Sequence, residues 1–414
     1  MKKFLVLFLV LALFIPAVAH AKIKFHGQLD VMGGDWLWEN MGPAFDNAYS
    51  YTNTRFLIGA NFDLEKNIEA NVSLLYANSW GSDYISGEPL NNSTDTGFLN
   101  RIRISEANIV FKNLFDNDRF TLKLGKFYYG EKGDTIFYAG LRDMAQWGYE
   151  YSTVYNYSAY NSGVDGFQLT YNTKENFKID LVYSKISSES NNESLNTKIN
   201  MVIIDAKYKI NDNMKIKGYI YDSESTNNIS TIITYARRSE IIGVKPEFSV
   251  NNITLSGEIA QQYISYKSRL FDETPEDELL TKLNVSYLLN ISKKMKLLPR
   301  IQYLRAGSGF FSQLSDANFG LASTTLLVNR WKLWDIESYN IGADWSITKF
   351  KISADYYKNS KADGGSQYSE YNLVAEYNYT KKVTFYAGYA YMDKYYDIGA
   401  DYNTYAIFGA SYKF

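Results

Sequence analysis

The stretch Arg55–Tyr76, RFLIGANFDLEKNIEANVSLLY, carries apolar residues at every second position on both sides of a short polar break. The apolar set consists of Phe56, Ile58, Ala60 and Phe62 before the break and Ile68, Ala70, Val72, Leu74 and Tyr76 after it. Side chains that alternate with period two lie on opposite faces of a β-strand. Only Asp63–Asn67 separates the two runs, so this stretch predicts an antiparallel hairpin with a tight turn.

The same unit recurs to the end of the chain, at 202–220, 242–259, 341–356 and 373–391. Short turns alternate with long polar stretches, which fall at about 35–51, 79–98, 127–162, 185–198, 222–238, 265–278, 306–335, 358–368 and 392–401. Short turns at one end and long loops at the other are typical of outer-membrane β-barrels. Counting the runs between these stretches predicts 16 to 18 strands, with 18 as the best count, from 23–34 to 402–414.

Such a sheet is expected to close on itself. Inside a bilayer every backbone N–H and C=O needs a protein partner, and an open sheet would leave two unpaired edges. The composition fits a barrel with one face on lipid and one on water, because aromatics make up 16% of the chain while the mean hydropathy is −0.30. The predicted fold class is therefore all-β, a closed antiparallel transmembrane β-barrel with short periplasmic turns and long extracellular loops.

The first 21 residues have the pattern of a cleaved signal peptide. Lys2 and Lys3 precede an apolar run from Phe4 to Ile15, and Ala19-His20-Ala21 forms a small-residue cleavage box. The run is shorter than the ~18 apolar residues that a membrane helix needs. We therefore expect residues 22–414 to form a single barrel domain in the bacterial outer membrane.

The chain ends on the pattern Tyr412-x-Phe414, in phase with the apolar positions of its last strand. This pattern resembles the terminal signature that the barrel assembly machinery reads in outer-membrane proteins. The alternative interpretation is that both residues are ordinary interfacial aromatics. We predict Tyr412 and Phe414 to be the assembly signal.

Selectivity of a pore is determined by the residues out of phase with the apolar set, since these line the lumen. The alternation assigns to the lumen a mixture of bases and acids that includes Arg55, Lys123, Lys207, Lys217, Arg300, Asp344 and Glu376. A mixed lining of this kind keeps small polar solutes hydrated as they pass. Each charge taken singly is also explained by solvation of the wall alone.

The segment 127–162 is the longest internal loop and has aromatic residues of its own. Two alternatives are open: it folds inward and narrows the pore, or it forms an outward cap against neighbouring loops.

Three short motifs carry a family resemblance: SEANIVF at Ser105–Phe111, FTLKLGK at Phe120–Lys126, and Tyr129-Gly130. Together they resemble the alginate-export family of 18-stranded outer-membrane porins, although Lys126 stands where an arginine is usual and Asn108 where an aromatic is usual. The resemblance implies a pore for sugars, anions or polyuronates with a basic constriction. The candidates for that constriction are Arg101, Arg103, Lys123, Lys126 and Arg142.

The residue types argue against other classes of function. Outside the signal peptide the only histidine is His26, and the chain has no cysteine, so neither histidine-based catalysis nor a metal centre is predicted. A formal net charge of −2 suggests no nucleic-acid partner. We expect a passive diffusion channel without cofactor, with lipid, the assembly machinery and small hydrophilic solutes as partners, as a monomer or homotrimer. The rival is a closed surface barrel that acts as an adhesin or structural protein.

Overall fold

The computed structural model describes residues 22–39, 48–80, 102–141, 163–187, 198–226, 236–266, 278–307, 310, 335–362, 364, 367–395 and 400–414. The predicted signal peptide lies outside them. Among the residues described, no helix is long and apolar enough to cross a membrane.

The strands are numbered here in chain order: β1 (Lys22–Glu39), β2 (Ala48–Glu65), β3 (Ile68–Trp80), β4 (Ile102–Lys112), β5 (Phe120–Phe127), β6 (Tyr129–Gly130), β7 (Tyr138–Ala139), β8 (Val164–Asn172), β9 (Phe177–Ser187), β10 (Lys198–Asn211), β11 (Met214–Thr226), β12 (Ala236–Val250), β13 (Ile253–Tyr266), β14 (Glu278–Tyr287), β15 (Leu289–Ser292), β16 (Met295–Ala306), β17 (Ile336–Ile347), β18 (Phe350–Ser360), β19 (Gln367–Asn378), β20 (Val383–Tyr395) and β21 (Ala400–Lys413).

Within the described residues, all strands except β6 and β7 form one antiparallel sheet that closes as a barrel. Strands β14 and β15 are two parts of one barrel strand, interrupted at Leu288, which gives 18 barrel strands. The first strand pairs with both β2 and β21. At the end of this seam Phe414 and Gly27 each donate a backbone N–H to the other's carbonyl oxygen at 3.1 Å. The predicted closed barrel and the best strand count are thus confirmed.

The two ends of the barrel differ as the turn lengths predict. At the short-turn end, β12 and β13 are joined by Asn251 and Asn252 alone, which have φ of 47° and 70°. Two consecutive residues with positive φ form the turn type whose twist matches paired antiparallel strands. The opposite end, called here the long-loop end, carries the long connections.

The outer face carries the apolar half of each strand. Ile58, Ile259 and Ile341 are 40%, 56% and 61% exposed. Their chain neighbours Leu57, Ala260 and Asn340 point inward and are 7%, 1% and 3% exposed. At the short-turn end, the Phe350 and Tyr377 rings stack at 4.4 Å between centroids. Aromatic rings at this level suit the border between lipid and water.

The lumen differs from the sequence-based expectation in one respect, because it is not polar throughout. A cluster of buried apolar side chains fills the part of the lumen next to β8–β17; its members include Val182, Ile203, Leu280 and Leu304. These residues lie on the inward face of strands that also carry apolar residues outward. The same cluster contains residues of the loop after β5 and also Phe310 from the connection after β16.

Candidate functional site

The first part of the longest internal loop folds into the lumen. This part, called here the inward segment, is Phe127–Leu141, and its strands β6 and β7 pair as a short ribbon. Phe127, Phe137 and Ala139 are at most 2% exposed and belong to the lumenal apolar cluster. The inward alternative therefore holds for this segment, while residues 142–162 of the loop lie outside the described part of the chain.

Asp134, at the tip of the inward segment, bridges two lysines of the lumen wall. Its side chain is 2% exposed and lies 2.7 Å from Lys245 Nζ and 3.3 Å from Lys217 Nζ. The backbone N–H of Ile136 donates to the same carboxylate at 3.0 Å. Burial alone would raise the pKa of Asp134, but the two lysine charges and these hydrogen bonds outweigh burial and hold the pKa well below its usual range.

One further hydrogen bond joins the segment to the wall, and two others connect wall residues behind it. Tyr129 Oη donates to Asp205 Oδ2 at 2.5 Å, and Tyr221 Oη donates to Asp205 Oδ1 at 3.1 Å. On the next strands Tyr219 Oη donates to Glu258 Oε1 at 2.6 Å. Burial and the neighbouring Asp205 carboxylate raise the pKa of Tyr129 far above its usual value, so the phenol stays a neutral donor.

The tip also contacts β10 and β14. Glu131 forms an ion pair with Lys207, and Lys282 Nζ donates to Thr135 Oγ1 at 3.1 Å. Burial alone would raise the pKa of Glu131, and the Lys207 ammonium lowers it below the usual value. Between the tip and the short-turn end lies a cavity of about 410 Å³, lined by nine lysines and five carboxylates. At least seven of these lysines pair with a carboxylate, three of them with carboxylates outside the lining, and nine lysines against five lining carboxylates leave the cavity wall with an excess of positive charge.

A second lumenal network lies on β16–β18. Arg300 contacts Asp344 and also Asp355, whose carboxylate accepts two hydrogen bonds from Nη2 at 2.7 and 2.8 Å. Lys351 Nζ lies 3.4 Å from Asp344, and Asn340 donates to Asp355 at 3.0 Å. Of the predicted pore residues, Arg300 thus contacts Asp344 in this network. In the first network, Lys207 lies directly opposite Lys217 on the neighbouring strand.

The other predicted lumenal residues lie apart from these two networks. Arg55 is buried against Asp30, with Nη2 at 2.7 Å from Oδ2. Lys123 is half-buried on the inward face of β5, its Nζ 5.5 Å from the centre of the Phe127 ring. Arg103 lies opposite the buried Leu75, and Glu376 lies opposite Lys351 on the inward face of β19.

Lys126 is not a lumenal residue, which corrects its place among the constriction candidates. Its register partner Asp165 is in phase with outward-facing Phe167, and Lys126 itself is in phase with outward-facing Leu124. The Lys126 and Asp165 side chains form an ion pair at 3.3 Å and are 14% and 57% exposed. Lys126 therefore lies on the outer wall near the long-loop end.

Arg101 and Arg142, also predicted for the constriction, lie outside the described residues. Tyr412 and Phe414 lie on the outer face of the closing seam, with ring centroids 5.8 Å apart. Their predicted role as an assembly signal stays a prediction. Among the described residues, no group of three or more His, Cys, Asp or Glu is arranged to hold a metal ion.

Sequence reasoning did not name Asp134, Tyr129 or Tyr219 as pore residues, because the charged side chains that they contact on the barrel wall lie far away in the chain. The available signal was local: Glu131-Lys132-Gly133-Asp134 is a charged turn between apolar residues, and Gly133 has φ 78°. A turn of this kind predicts a hairpin tip, but it does not tell whether that tip points to solvent or into the barrel.

Comparison with known proteins shows the fold. No family model and no curated protein matches the chain. Among solved structures, OccK9 (OpdG) of Pseudomonas aeruginosa is similar with a TM-score of 0.60 and 11% identity, covering 96% of this chain and 99% of that one. OccAB4 of Acinetobacter baumannii gives a TM-score of 0.56 and 13% identity, covering 94% and 98%. OpdK of P. aeruginosa, solved with vanillate, gives 0.56 and 10%, covering 94% and 98%. These are outer-membrane porins, so this chain has the 18-stranded barrel fold of outer-membrane porins.

Proposed function

We propose that this protein is an outer-membrane porin, a passive diffusion channel for small hydrophilic solutes. The observation that carries the proposal is the charged lumen wall of a closed 18-stranded barrel. Barrels of 16 to 18 strands leave an aqueous channel unless a plug fills it. Among the described residues, the tip at 131–135 forms ion pairs and side-chain hydrogen bonds with β10, β11, β12 and β14, which form one side of the lumen, and this supports a narrowed channel rather than a sealed one.

The ion pairs of the lumen support weak rather than strict charge selection. Lys217, Lys245 and Arg300 each contact a carboxylate, so a passing ion meets compensated charges. Neutral polar solutes such as sugars pass such a wall without leaving a charge unpaired. The vanillate in the OpdK structure is an aromatic carboxylate, and it supports including small organic anions in the proposal.

The narrower proposals are as follows. Uronates are the solute class implied by the resemblance to the alginate-export family; that resemblance rests on the motifs around β4 and β5, and the similar solved structures are of a different porin group. The orientation with short turns in the periplasm rests on their lengths. The proposal is for a channel rather than an enzyme, assembled by the barrel machinery, as a monomer or homotrimer.

The test is single-channel conductance and ion selectivity of the purified, refolded protein in a planar bilayer. The two lysines of β5 supply a matched pair, because Lys123 faces the lumen and Lys126 the outer wall. A porin gives steady conductance, with an anion preference that falls in Lys123→Glu and stays unchanged in Lys126→Glu. The variants carry the same change of charge three residues apart, so a shift in one alone cannot come from net charge.

A silent bilayer would contradict the proposal if circular dichroism shows that the protein is folded. That result would favour the closed surface barrel, with the inward segment as its plug. Equal shifts in both lysine variants would mean that the selectivity does not arise in the lumen.

A further inference from the structure

We infer that Asp134 is a selectivity-determining residue of the pore: its one carboxylate masks the charges of Lys217 and Lys245 and so limits the anion preference of the constriction. This inference rests on the proposed function. On this inference, a residue of the inward segment, and not a residue of the barrel wall, controls the charge that a solute meets.

The first step is the charge balance around Asp134. Lys217 has a second carboxylate, Asp205, at 3.4 Å, and Lys245 has Glu258 at 3.0 Å. Asp134 is therefore the carboxylate shared between the two ammonium groups. The five groups carry two positive and three negative charges, so loss of the Asp134 charge changes the cluster from −1 to 0 and leaves each lysine with one carboxylate instead of two.

The second step separates this role from holding the segment in place. Phe127, Ile136, Phe137 and Ala139 are buried in the lumenal cluster. Each fully buried large apolar side chain holds the segment by about 1.5–3 kcal/mol, and this contribution does not depend on the charge at position 134. An asparagine at position 134 retains an oxygen that can accept the Ile136 N–H. Asp134→Asn therefore removes the charge and leaves the segment bound.

The experiment compares the anion-to-cation permeability ratio of the wild type and Asp134→Asn in a planar bilayer at about 0.1 M salt, where the screening length is about 10 Å. We expect the ratio to rise about fivefold, which corresponds to about 1 kcal/mol for a unit charge about 4 Å from an ion in water. Conductance should stay within about twofold, since the segment is not released. Adding Lys245→Gln to the variant should return the ratio to the wild-type value.

The matched control is Asp165→Asn, which also removes an aspartate paired with a lysine, but on the outer wall. Its ratio should equal that of the wild type. The inference is overturned if Asp134→Asn leaves the ratio unchanged, if the added Lys245→Gln does not restore it, or if Asp165→Asn shifts it equally.

A silent bilayer would contradict the proposed function. A second measurement still tests whether Asp134 masks the two lysines in that case. Acetylation of lysines by an N-hydroxysuccinimide ester, mapped by mass spectrometry on the folded protein in detergent, reports whether Lys217 and Lys245 are masked. We expect both to react several-fold faster in Asp134→Asn than in the wild type and at the wild-type rate in Asp165→Asn. Equal rates in all three proteins would refute masking by Asp134.

Discussion

Removal of one partner of the ion pair between Asp30 and Arg55 is predicted to destabilise the barrel strongly. The Asp30 side chain is fully buried and that of Arg55 is 3% exposed, with Nε donating at 2.8 Å and Nη2 at 2.7 Å to one carboxylate oxygen. Removal of one partner from a buried pair leaves an uncompensated charge and costs about 3–5 kcal/mol. Arg55→Met should therefore lower the free energy of unfolding by about that amount, because the buried Asp30 carboxylate then loses its positive partner and keeps the neutral amide of Gln28 as a donor.

The assay is urea unfolding in lipid vesicles, followed by tryptophan fluorescence and by the heat-sensitive shift of the folded band on a gel. The control is Lys112→Met, whose ion pair with Glu69 is exposed and should contribute less than about 1 kcal/mol. The double variant Arg55→Met, Asp30→Leu should recover most of the loss, since removing both charges leaves neither unpaired. If Arg55→Met costs no more than Lys112→Met, the pair is solvated in the membrane and the reasoning is wrong.

Three further predictions concern the wall and the inward segment. Gly166→Ala should destabilise the barrel by about 1–3 kcal/mol in the same assay, because the added Cβ would lie 1.9 Å from a carbonyl oxygen of the next strand. Gly218→Ala should be tolerated, because no atom lies within 4 Å of its added Cβ. Equal effects of the two variants would count against the strand register. Phe137→Ala empties a buried site and should speed amide exchange across the inward segment, and unchanged exchange would mean that the segment is held by its charges alone. The pKa of Asp134 is lowered from 3.8, so the Asp134 carboxylate stabilises the inward segment fully above pH 3.8 and loses this effect as the pH falls below 3.8. Protection of the Ile136 amide, corrected for intrinsic exchange, should be constant from about pH 7 to 5 and decline below about pH 4. A decline already between pH 7 and 5 would contradict the low pKa.

Most of the wall could be predicted from the sequence because its rules are local. The alternation around Ile58 and Ile341 gives the outward face, and the pair Asn251-Asn252 gives a two-residue turn, without knowledge of any distant residue. The same rule separates Lys123 from Lys126, since residues three apart on a strand point to opposite faces. The family motif predicted that Lys126 lies in the constriction. This prediction was wrong because the motif was given more weight than the two-residue alternation of the strand.

The candidate site could be predicted only in part. The lumenal phase of Lys207, Lys217 and Arg300 follows from alternation, but their partners do not. Asp134 reaches Lys217 and Lys245 across 83 and 111 positions of the chain. No local pattern specifies contacts over such separations.

The sequence by itself thus determined the closed barrel, a count of 16 to 18 strands and the face on which wall charges such as Lys217 and Arg300 lie, since these follow from backbone hydrogen bonding and from the contrast between lipid and water. Only the tertiary structure decided that the inward segment packs on an apolar patch inside the lumen and that Asp134 compensates two wall lysines. The physical reason is that period and turn length act between neighbours in the chain, whereas burial of a loop and pairing of charges depend on distances that exist only after the barrel has closed.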